Sequence, residues 1–395
     1  MAIDIQNGQV LAGSDFEQRP VIIRGGRIVS SEVSPADLIL DATGLMVLPG
    51  IIDIHGDAFE RQLEPRPGIH FPLPLALVET DRQLVANGIT TVCHAVTCSW
   101  EPGLRSVENA RNLLAGLDEL ENALSADHRF HLRHEIFNLD AEPLILDWIA
   151  SGRLTALAFN DHMDDIERNI SRQSTKLGRM IERTGLLPSD YLTLVERVMA
   201  RRAEVPASVA RIGEAAEIAG LPILSHDDRD LADRAFYREI GARIAEFPKT
   251  VEVARNAIEA GEHVVFGAPN VVRGGSQNKG CPDAHEMVAG GLCSILASDY
   301  FYPAMRQAVV TLVRNQTPTL AQVWSLISAN PAAALGLQDR GTIEPGKRAD
   351  LILARVNDFG IEIVATIVNG ELVYLTDAHL ISAAAARDLP ARRVA

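Results

Sequence analysis

Short apolar runs that end in polar residues recur through the middle of the chain, between residues 48 and 342. Most of these runs precede a segment with helical periodicity, such as Leu75–Asn87, Gly103–Leu124, Tyr191–Ala219 and Thr250–Ala260. In chain order, the eight runs are VLPGIIDIHGD, GITTVCHAV, RFHLRHEIFN, LTALAFNDH, LPILSHDD, ARIAEFP, EHVVFGAPN and CSILASDY. Eight buried strands that alternate with helices predict a parallel (β/α)8 barrel, and a doubly wound open sheet is the alternative.

The two ends of the chain follow a different pattern, with short β-branched or aliphatic runs broken by Gly, Asn and Asp. Near the C-terminus, Asn369–Gly370 separates two apolar runs, which is the strongest short-range signal of a hairpin. We therefore expect residues 1–47 and 343–395 to pair into one small β domain that flanks a barrel domain of residues 48–342. The Ala-rich tail that starts at residue 381 is predicted to be a terminal helix or partly disordered.

Composition and charge restrict the partners more than they restrict the fold. The 395 residues carry a net charge of −15, which argues against nucleic acid or an anionic membrane as the main partner. The net charge does not exclude a small anionic substrate, because an acidic protein can contain a local basic pocket. It does not exclude a homo-oligomer either. The four cysteines form no CxxC pair, and neither a signal peptide nor an apolar run of membrane-spanning length is present, so we expect a cytoplasmic protein.

The strand ends carry side chains of the types that bind metals, and barrel enzymes place their catalytic groups at these ends. Residues i and i+2 of a strand face the same side, so His55 and Asp57 are predicted to reach one ion together. Imidazole with carboxylate suits Zn, Mn, Fe or Ni better than Ca. A carboxylate such as Glu135 can bridge two ions about 3.5–4 Å apart, and Asp299 can accept the proton of an activated water. The full candidate set is His55, Asp57, Glu135, His162, His226 and Asp299.

Each of these residues also has a structural explanation when it is considered alone. A single His at a strand end is more often a hydrogen-bonded structural group than a ligand, and Asp57 can cap a helix or a turn. Asp227 and Asp228 are candidates for capping the following helix, and Glu135 is a candidate for pairing with Arg133. The joint pattern favours a metal centre, because polar groups buried behind aliphatic runs need partners.

Three further histidines lie in the same strands. His131 shares the strand parity of Glu135 but lies deeper, whereas His134 has the opposite parity and is expected to face the helices. His94 is a candidate for lining the mouth of the barrel.

A Gly-rich loop, Gly267–Gly280, follows the seventh predicted strand. Barrels often bind phosphate on the loops after strands seven and eight, and backbone N–H groups freed by Gly274 and Gly275 can cradle an anion. Arg273 and Ser276 add donors in the same loop. Arg66, held between two prolines in EPRPG, is a candidate for a second anion contact, and an ordinary surface arginine is the alternative.

Three long motifs, VLPGIIDIHGD, ANPAAALGL and GTIEPGKRADLIL, together resemble the amidohydrolase superfamily over essentially the whole chain. The resemblance implies a small β-sandwich domain, built from both chain ends, around a metal-bearing (β/α)8 barrel. Most members carry His-x-His on the first strand, whereas this chain carries His55-Gly56-Asp57. That departure, with EPRP, SHDD, AEFPKT, GAPNVVRGGS and ASDYFYP, is similar to one branch, the PhnM type of phosphonate metabolism.

The resemblance to that branch implies a hydrolase that releases pyrophosphate from α-D-ribose 1-methylphosphonate 5-triphosphate. It implies that the six candidate ligands serve a centre of one or two divalent metal ions, expected to be Zn with Mn or Fe as alternatives. Asp299 is implied as the proton acceptor. Phosphate contacts are implied for Asn270, Arg273, Gly274, Gly275 and Ser276.

One segment departs from the branch. After Asp161 and His162, the chain continues as MDDIERN where the branch has a Gly/Pro loop of the form DHxPGQ. The acids of this segment disfavour a triphosphate, unless the segment turns outward or the acids are neutralised by a metal or by Arg168. Two alternative hypotheses follow: hydrolysis of a C–N bond, by a deaminase or N-acyl hydrolase of a non-triphosphate substrate, and a non-enzymatic scaffold in a phosphonate complex.

Overall fold

The computed structural model describes residues 1–31, 34–172, 174–314, 318–357 and 360–381. Within these ranges, the strands are β1 (Ile3–Gln6), β2 (Gln9–Ala12), β3 (Asp15–Gln18), β4 (Val21–Arg24), β5 (Arg27–Val29), β6 (Leu38–Asp41), β7 (Met46–Pro49), β8 (Ile51–Gly56), β9 (Ile89–Cys98), β10 (Asp127–Glu135), β11 (Ala156–Asn160), β12 (Ile223–His226), β13 (Ile244–Glu246), β14 (His263–Gly267), β15 (Ile295–Ala297), β16 (Leu351–Asn357), β17 (Gly360–Val368) and β18 (Glu371–Leu375).

The helices in the same ranges are α1 (Glu60–Leu63), α2 (Leu73–Ala86), α3 (Val107–Leu120), α4 (Glu142–Ala150), α5 (Met163–Ser171), α6 (Thr175–Thr184), α7 (Pro188–Met199), α8 (Val205–Ile218), α9 (Leu231–Glu239), α10 (Val251–Glu259), α11 (Ala268–Arg273), α12 (Ala284–Ala289), α13 (Ala304–Val313), α14 (Leu320–Ser325) and α15 (Ala329–Ala334). Short 3-10 turns cover Leu139–Ala141, Arg202–Glu204 and Ala378–Leu380. No helix of the described ranges is both long and apolar enough to cross a bilayer.

All eight predicted core strands form, and they lie in one parallel sheet in the order β8 to β15. The sheet closes on itself at the C-terminal ends of its first and last strands. There, the N–H of Asp299 donates to the carbonyl of His55 at 2.9 Å, and the N–H of Asp57 donates to the carbonyl of Asp299 at 2.9 Å. The buried carboxylate of Asp53 adds to the closure by accepting from the N–H and hydroxyl of Ser298. The prediction of a (β/α)8 barrel is therefore confirmed over the open-sheet alternative.

Both chain ends contribute to two further sheets. One has the order β5-β4-β1-β6, and the other has the order β18-β17-β16-β7-β2-β3, so it joins N-terminal and C-terminal strands. Ile3 and Val10 of the N-terminal region share a buried apolar core with Leu351 and Ile367 of the C-terminal region. Asn369 and Gly370 both have positive φ, 50° and 73°, as the predicted hairpin between β17 and β18 requires. The expected small sandwich beside the barrel is confirmed.

Three expectations about the bounds of helices, domains and the C-terminal tail have different outcomes. The predicted helical segment Tyr191–Ala219 is two helices, α7 and α8, because Pro206 starts a new helix at its first turn. The division into 1–47 with 343–395 and 48–342 stays a proposal, and strand β7 runs across its first boundary. The predicted terminal helix or disordered tail lies, from residue 382 onward, outside the described residues.

Candidate metal centre and active site

The first barrel strand ends in His55, Gly56 and Asp57, and the alternation of the strand decides where each residue points. His55 and Asp57 both line one cavity at the C-terminal end of the barrel. Between them, a Cβ added to Gly56 would lie 2.6 Å from the Asp53 carboxylate and 3.1 Å from the Tyr302 ring. Glycine is therefore required where the strand packs against the closure of the barrel, and the two polar neighbours are left on the cavity side.

Asp299, from the loop after β15, completes a first donor group with His55 and Asp57. One donor atom from each of the three residues lies within 4.8 Å of the others. Burial and the neighbouring charge of Asp57 raise the pKa of Asp299 to about 7. The chain thus brings these three candidate ligands together, in an arrangement that suits one divalent cation.

His162, His226 and Asp227 form a second donor group, in which the atoms again lie within 4.8 Å of one another. Glu135 belongs to neither donor group of the described residues, since its carboxylate is bonded to Nδ1 of His162 at 2.6 Å. Burial alone would raise the pKa of Glu135, but His162 outweighs it and lowers the value to about 2. The bond with His162 holds the Glu135 carboxylate beside a smaller side cavity, and its bridging of two ions stays a prediction.

Glu246, the last residue of β13, is hydrogen-bonded to one histidine of each donor group. Its Oε1 is 2.7 Å from Nδ1 of His55, and its Oε2 is 2.7 Å from Nδ1 of His226. The carboxylate is fully buried, yet the two histidines hold its pKa well below the usual value against the effect of burial. By accepting from both Nδ1 atoms, Glu246 leaves Nε2 of each ring as the nitrogen with the lone pair.

The cavity itself has a volume of about 440 Å³ and is lined by residues at the C-terminal ends of the barrel strands. Three non-glycine residues that line the cavity have positive φ: Asp227 at 66°, Phe247 at 53° and Asp299 at 53°. Backbone strain of this kind concentrates at functional sites. The basic residues that line the cavity are Arg61, Arg105, Arg133, Lys249 and Arg273.

The Gly-rich loop contributes side chains to the cavity but not the expected cradle of backbone N–H groups. Residues 268–273 form α11, and the N–H groups of Gly274 and Gly275 donate to the carbonyls of Val271 and Asn270 to close that helix. Gly275 has a φ of 132°, which favours glycine. The predicted N–H cradle is therefore wrong, because the end of the helix uses these donors.

The side chains of the same loop divide between holding the fold and facing the cavity. The amide of Asn270 donates to the carbonyl of Pro282 at 3.1 Å and accepts from the N–H of Ala284 at 3.0 Å, so it fixes the neighbouring loop. Arg273 and Ser276 line the cavity. Arg66 is exposed and does not line it, which corrects the expectation of an anion contact there and matches the surface alternative.

Two other expectations are corrected by hydrogen bonds. His94 does not reach the mouth of the barrel, because its Nε2 is 2.8 Å from Nδ1 of the helix-side His128. Asp228 does not cap α9, since it is bonded to Ser225 and Arg234 and the cap is Asp230. Strand parity was correct for the remaining pair: His131 bonds the carbonyl of Ile54 inside the barrel, and His134 packs on Phe159 outside it.

The acidic segment after His162 folds as α5 and is neutralised by arginines. Asp164 pairs with Arg229 and with Arg202, Glu167 pairs with Arg202 at 2.5 Å, and Asp165 pairs with Arg168. None of the three acids lines the main cavity, although Asp165 lines the side cavity. The charge objection to a polyphosphate substrate is therefore removed by the ion pairs.

Comparison with known proteins identifies the family. The model of the amidohydrolase family matches residues 167–374. The chain is 32% identical to α-D-ribose 1-methylphosphonate 5-triphosphate diphosphatase of Escherichia coli, over 92% of this chain and 93% of that protein. It belongs to the amidohydrolase family. A dihydroorotase of Lactobacillus gasseri is 22% identical over 95% of this chain and 99% of its own length.

The fold of this amidohydrolase recurs in solved structures of low sequence identity. N-acetylglucosamine-6-phosphate deacetylase of Pasteurella multocida matches with a TM-score of 0.63 and 13% identity, over 94% of this chain and 99% of that one. The resemblance read from the sequence motifs is confirmed, and the chain is a hydrolase with a barrel and a small sandwich.

Amidohydrolases bind divalent metals, and the donor set of this one fits such an ion. His55 and His226 line the cavity and each donates from Nδ1 to Glu246, which is the usual way in which a metal-binding imidazole is oriented, although Nε2 of His226 also lies 3.0 Å from Arg133. Two further carboxylates, Asp57 and Asp299, stand beside His55. Such a mixed imidazole and carboxylate set is typical of Zn, Mn or Fe sites.

Sequence reasoning about this amidohydrolase missed two central residues. Glu246 ends the short strand IAE, and an acid that directly follows apolar strand residues was a signal that could have found it. Arg133 was considered only as a partner for Glu135, yet its guanidinium lies 3.0 Å from Nε2 of His226. Its parity, shared with His131 and Glu135, already pointed into the barrel.

Proposed function

We propose that this amidohydrolase cleaves a phosphoanhydride bond of a small polyphosphorylated substrate, with α-D-ribose 1-methylphosphonate 5-triphosphate as the candidate, and releases pyrophosphate. The observation that carries the proposal is the basic lining of the cavity. Five cationic side chains, from Arg61 to Arg273, face a site beside the metal donors, in a chain whose net charge is −15. The 32% identity to the Escherichia coli diphosphatase supports the same substrate class.

In this proposal, a divalent metal, Zn first and Mn or Fe as alternatives, supplies an activated water and neutralises phosphoryl charge when bound. Water adds to the phosphorus attached to the sugar, the bond from that phosphorus to the bridging oxygen breaks, and pyrophosphate leaves. Asp299 accepts the proton of the attacking water, since its carboxylate lines the cavity beside His55 and Asp57. Arg273 and Lys249 bind the departing phosphates, whose charge grows as the bond breaks.

The proposal is tested by incubating the metal-loaded protein with the ribose triphosphate and following phosphorus NMR. We expect pyrophosphate and the corresponding 5-phosphate, with oxygen from labelled water in the 5-phosphate. ATP serves as the matched control, because it has the triphosphate but lacks the methylphosphonate. Failure to release pyrophosphate from the ribose compound, while the Escherichia coli enzyme cleaves it in the same buffer, would contradict the proposal.

A second candidate is hydrolysis of a C–N bond, which the full-length similarity to a dihydroorotase favours. The paired acids of α5 no longer argue for a neutral or cationic substrate, so we place this candidate second. A panel of cyclic amides, N-acyl compounds and aminated heterocycles distinguishes the two functions. Turnover in that panel, without pyrophosphate release from the triphosphate, would favour the second candidate.

We also propose a cytosolic location, because the four cysteines are free thiols.

A further inference from the structure

Arg133 lies between the two donor groups of the metal centre. It projects inward from β10, its side chain is 6% exposed, and its Nη2 lies 3.0 Å from Nε2 of His226. On the other side, its Nη1 lies 3.8 Å from Oδ2 of Asp57. The side-chain oxygen of Asn160, in the amide orientation that satisfies both residues, accepts from Nη2 at 3.2 Å and from Nε at 3.3 Å. The guanidinium is therefore fixed from three sides.

The hydrogen bonds determine the protonation of His226. Arginine carries no lone pair for a hydrogen bond and stays protonated, so Nε2 of His226 must accept from it. Nδ1 of the same ring then donates to Glu246. The lone pair that a metal ion would use at His226 is thus directed at a fixed positive charge.

Asp227 of the second donor group is also engaged by a cation, since its carboxylate is bonded to Nζ of Lys249 at 2.6 Å. The bond of His162 to Glu135 at 2.6 Å uses Nδ1 and leaves Nε2 3.8 Å from Oδ2 of Asp227. In the first group, by contrast, no described residue hydrogen-bonds to the carboxylates of Asp57 and Asp299. Nε2 of His55 is likewise free of hydrogen bonds within the described ranges, since only Nδ1 is bonded.

We propose that Arg133 takes the place of a second metal ion, so that the centre holds one divalent ion, on His55, Asp57 and Asp299. A dication on the second group would stand beside the guanidinium and the Lys249 ammonium, and their mutual repulsion opposes its binding. Arg133 instead supplies a permanent second positive charge beside the ion, aimed at the cavity in which the phosphates are expected. The inference rests on the metal-dependent hydrolysis of the proposed function but not on the identity of its substrate.

Metal content, measured without any substrate, tests the inference separately from the proposed function. Metal-free protein is equilibrated with excess Zn²⁺ or Mn²⁺, freed of unbound ion, and analysed by elemental mass spectrometry. We expect about one ion per chain for the wild type and for Arg133→Lys, and about two for Arg133→Met. Arg133→Gln provides a second neutral variant if the methionine variant does not fold.

Two further substitutions locate the ion in a protein that retains Arg133. Asp57→Asn removes a ligand of the first group, and we expect the bound ion to be lost. Asp227→Asn changes the second group, and we expect one ion to remain. Two ions in the wild type, one ion in a folded Arg133→Met variant, or loss of the ion in Asp227→Asn would each overturn the inference. Coupled-pair signals in the Mn²⁺ electron paramagnetic resonance of the wild type would do the same.

Discussion

Glu246 and His55 are joined by a hydrogen bond of 2.7 Å between the carboxylate Oε1 and the imidazole Nδ1. The second oxygen of the same carboxylate makes the equivalent bond to His226, so one buried acid fixes the tautomer of two rings. Burial lowers the pKa of His226 to about 4, with Arg133 acting in the same direction. His226 is therefore neutral, and the lone pair of its Nε2 accepts from Arg133.

Replacing Glu246 is therefore predicted to weaken the metal centre without removing a ligand. We expect Glu246→Gln to lower metal affinity about 10- to 100-fold, because loss of such a supporting carboxylate leaves ring orientation and basicity uncontrolled. Competition with a chelator measures the affinity directly. The matched control is Glu262→Gln, which removes a buried acid that pairs with Arg234 and Arg238 outside the barrel. Equal loss of metal from both variants would contradict the role given to Glu246.

Arg273 is predicted to bind substrate phosphate, whereas Arg66 is not. Arg273 lines the cavity and makes a single hydrogen bond, to the Tyr300 hydroxyl at 3.4 Å, among the described residues. Since a hydrogen bond to a charged group contributes about 1.5–3 kcal/mol, Arg273→Ala should raise KM for the polyphosphate about tenfold or more. Steady-state kinetics of Arg66→Ala give the control, for which KM is expected to stay unchanged. An increase in KM with Arg66→Ala alone would reverse the assignment.

The barrel could be predicted from local sequence, because each of its strands is an apolar run that ends in polar residues. Parity alone placed His131 inside the barrel and His134 outside, as their contacts show. The role of Glu246 is different, since its partners lie 191 residues away in β8 and 20 residues away in β12. No periodicity within IAE could indicate those bonds, although the position of the acid at the end of an apolar strand could have marked it as a candidate.

The Gly-rich segment 267–280 shows another limit, because it was predicted to be a loop that binds an anion through its backbone N–H groups. Two adjacent glycines do permit unusual backbone, and Gly275 adopts it with a φ of 132°. The sequence could not show that residues 268–273 form a short helix whose end uses both N–H groups. The donors are used by the C-terminal cap of the helix that directly precedes them, a local conformation that motif matching did not identify.

Cys281 is predicted to report on occupancy of the cavity. Among the four free cysteines, it is the one that is not buried, and it lines the cavity near Lys249. Burial raises the pKa of its thiol, so we expect a maleimide to react slowly but with one thiol per native chain. Labelling should inactivate the protein, and pyrophosphate should protect it. Cys281→Ser is expected to resist, and inactivation of that variant at the wild-type rate would contradict the prediction.

His94 is predicted to make the fold sensitive to mild acid. It is fully buried, and burial with the adjacent His128 lowers its pKa well below 6.5. Because His128 also faces Asp81 at 3.1 Å, it donates there through Nε2 and accepts at Nδ1 from Nε2 of His94. A second proton on His94 would occupy Nδ1, a buried atom with no partner among the described residues.

The sign of the pH effect follows from proton counting. Below pH 6.5 the unfolded chain protonates His94 while the folded chain does not, so stability is complete above pH 6.5 and falls as pH decreases. One such proton contributes about 1.4 kcal/mol per pH unit to the slope. Urea unfolding between pH 7 and pH 5 should show a shallower decline for His94→Gln, which keeps a donor for His128. His285→Gln, at a partly exposed position in α12, is the control and should keep the wild-type slope. An unchanged slope in His94→Gln would show that other buried groups, such as His131 with its pKa of about 4, dominate the acid response.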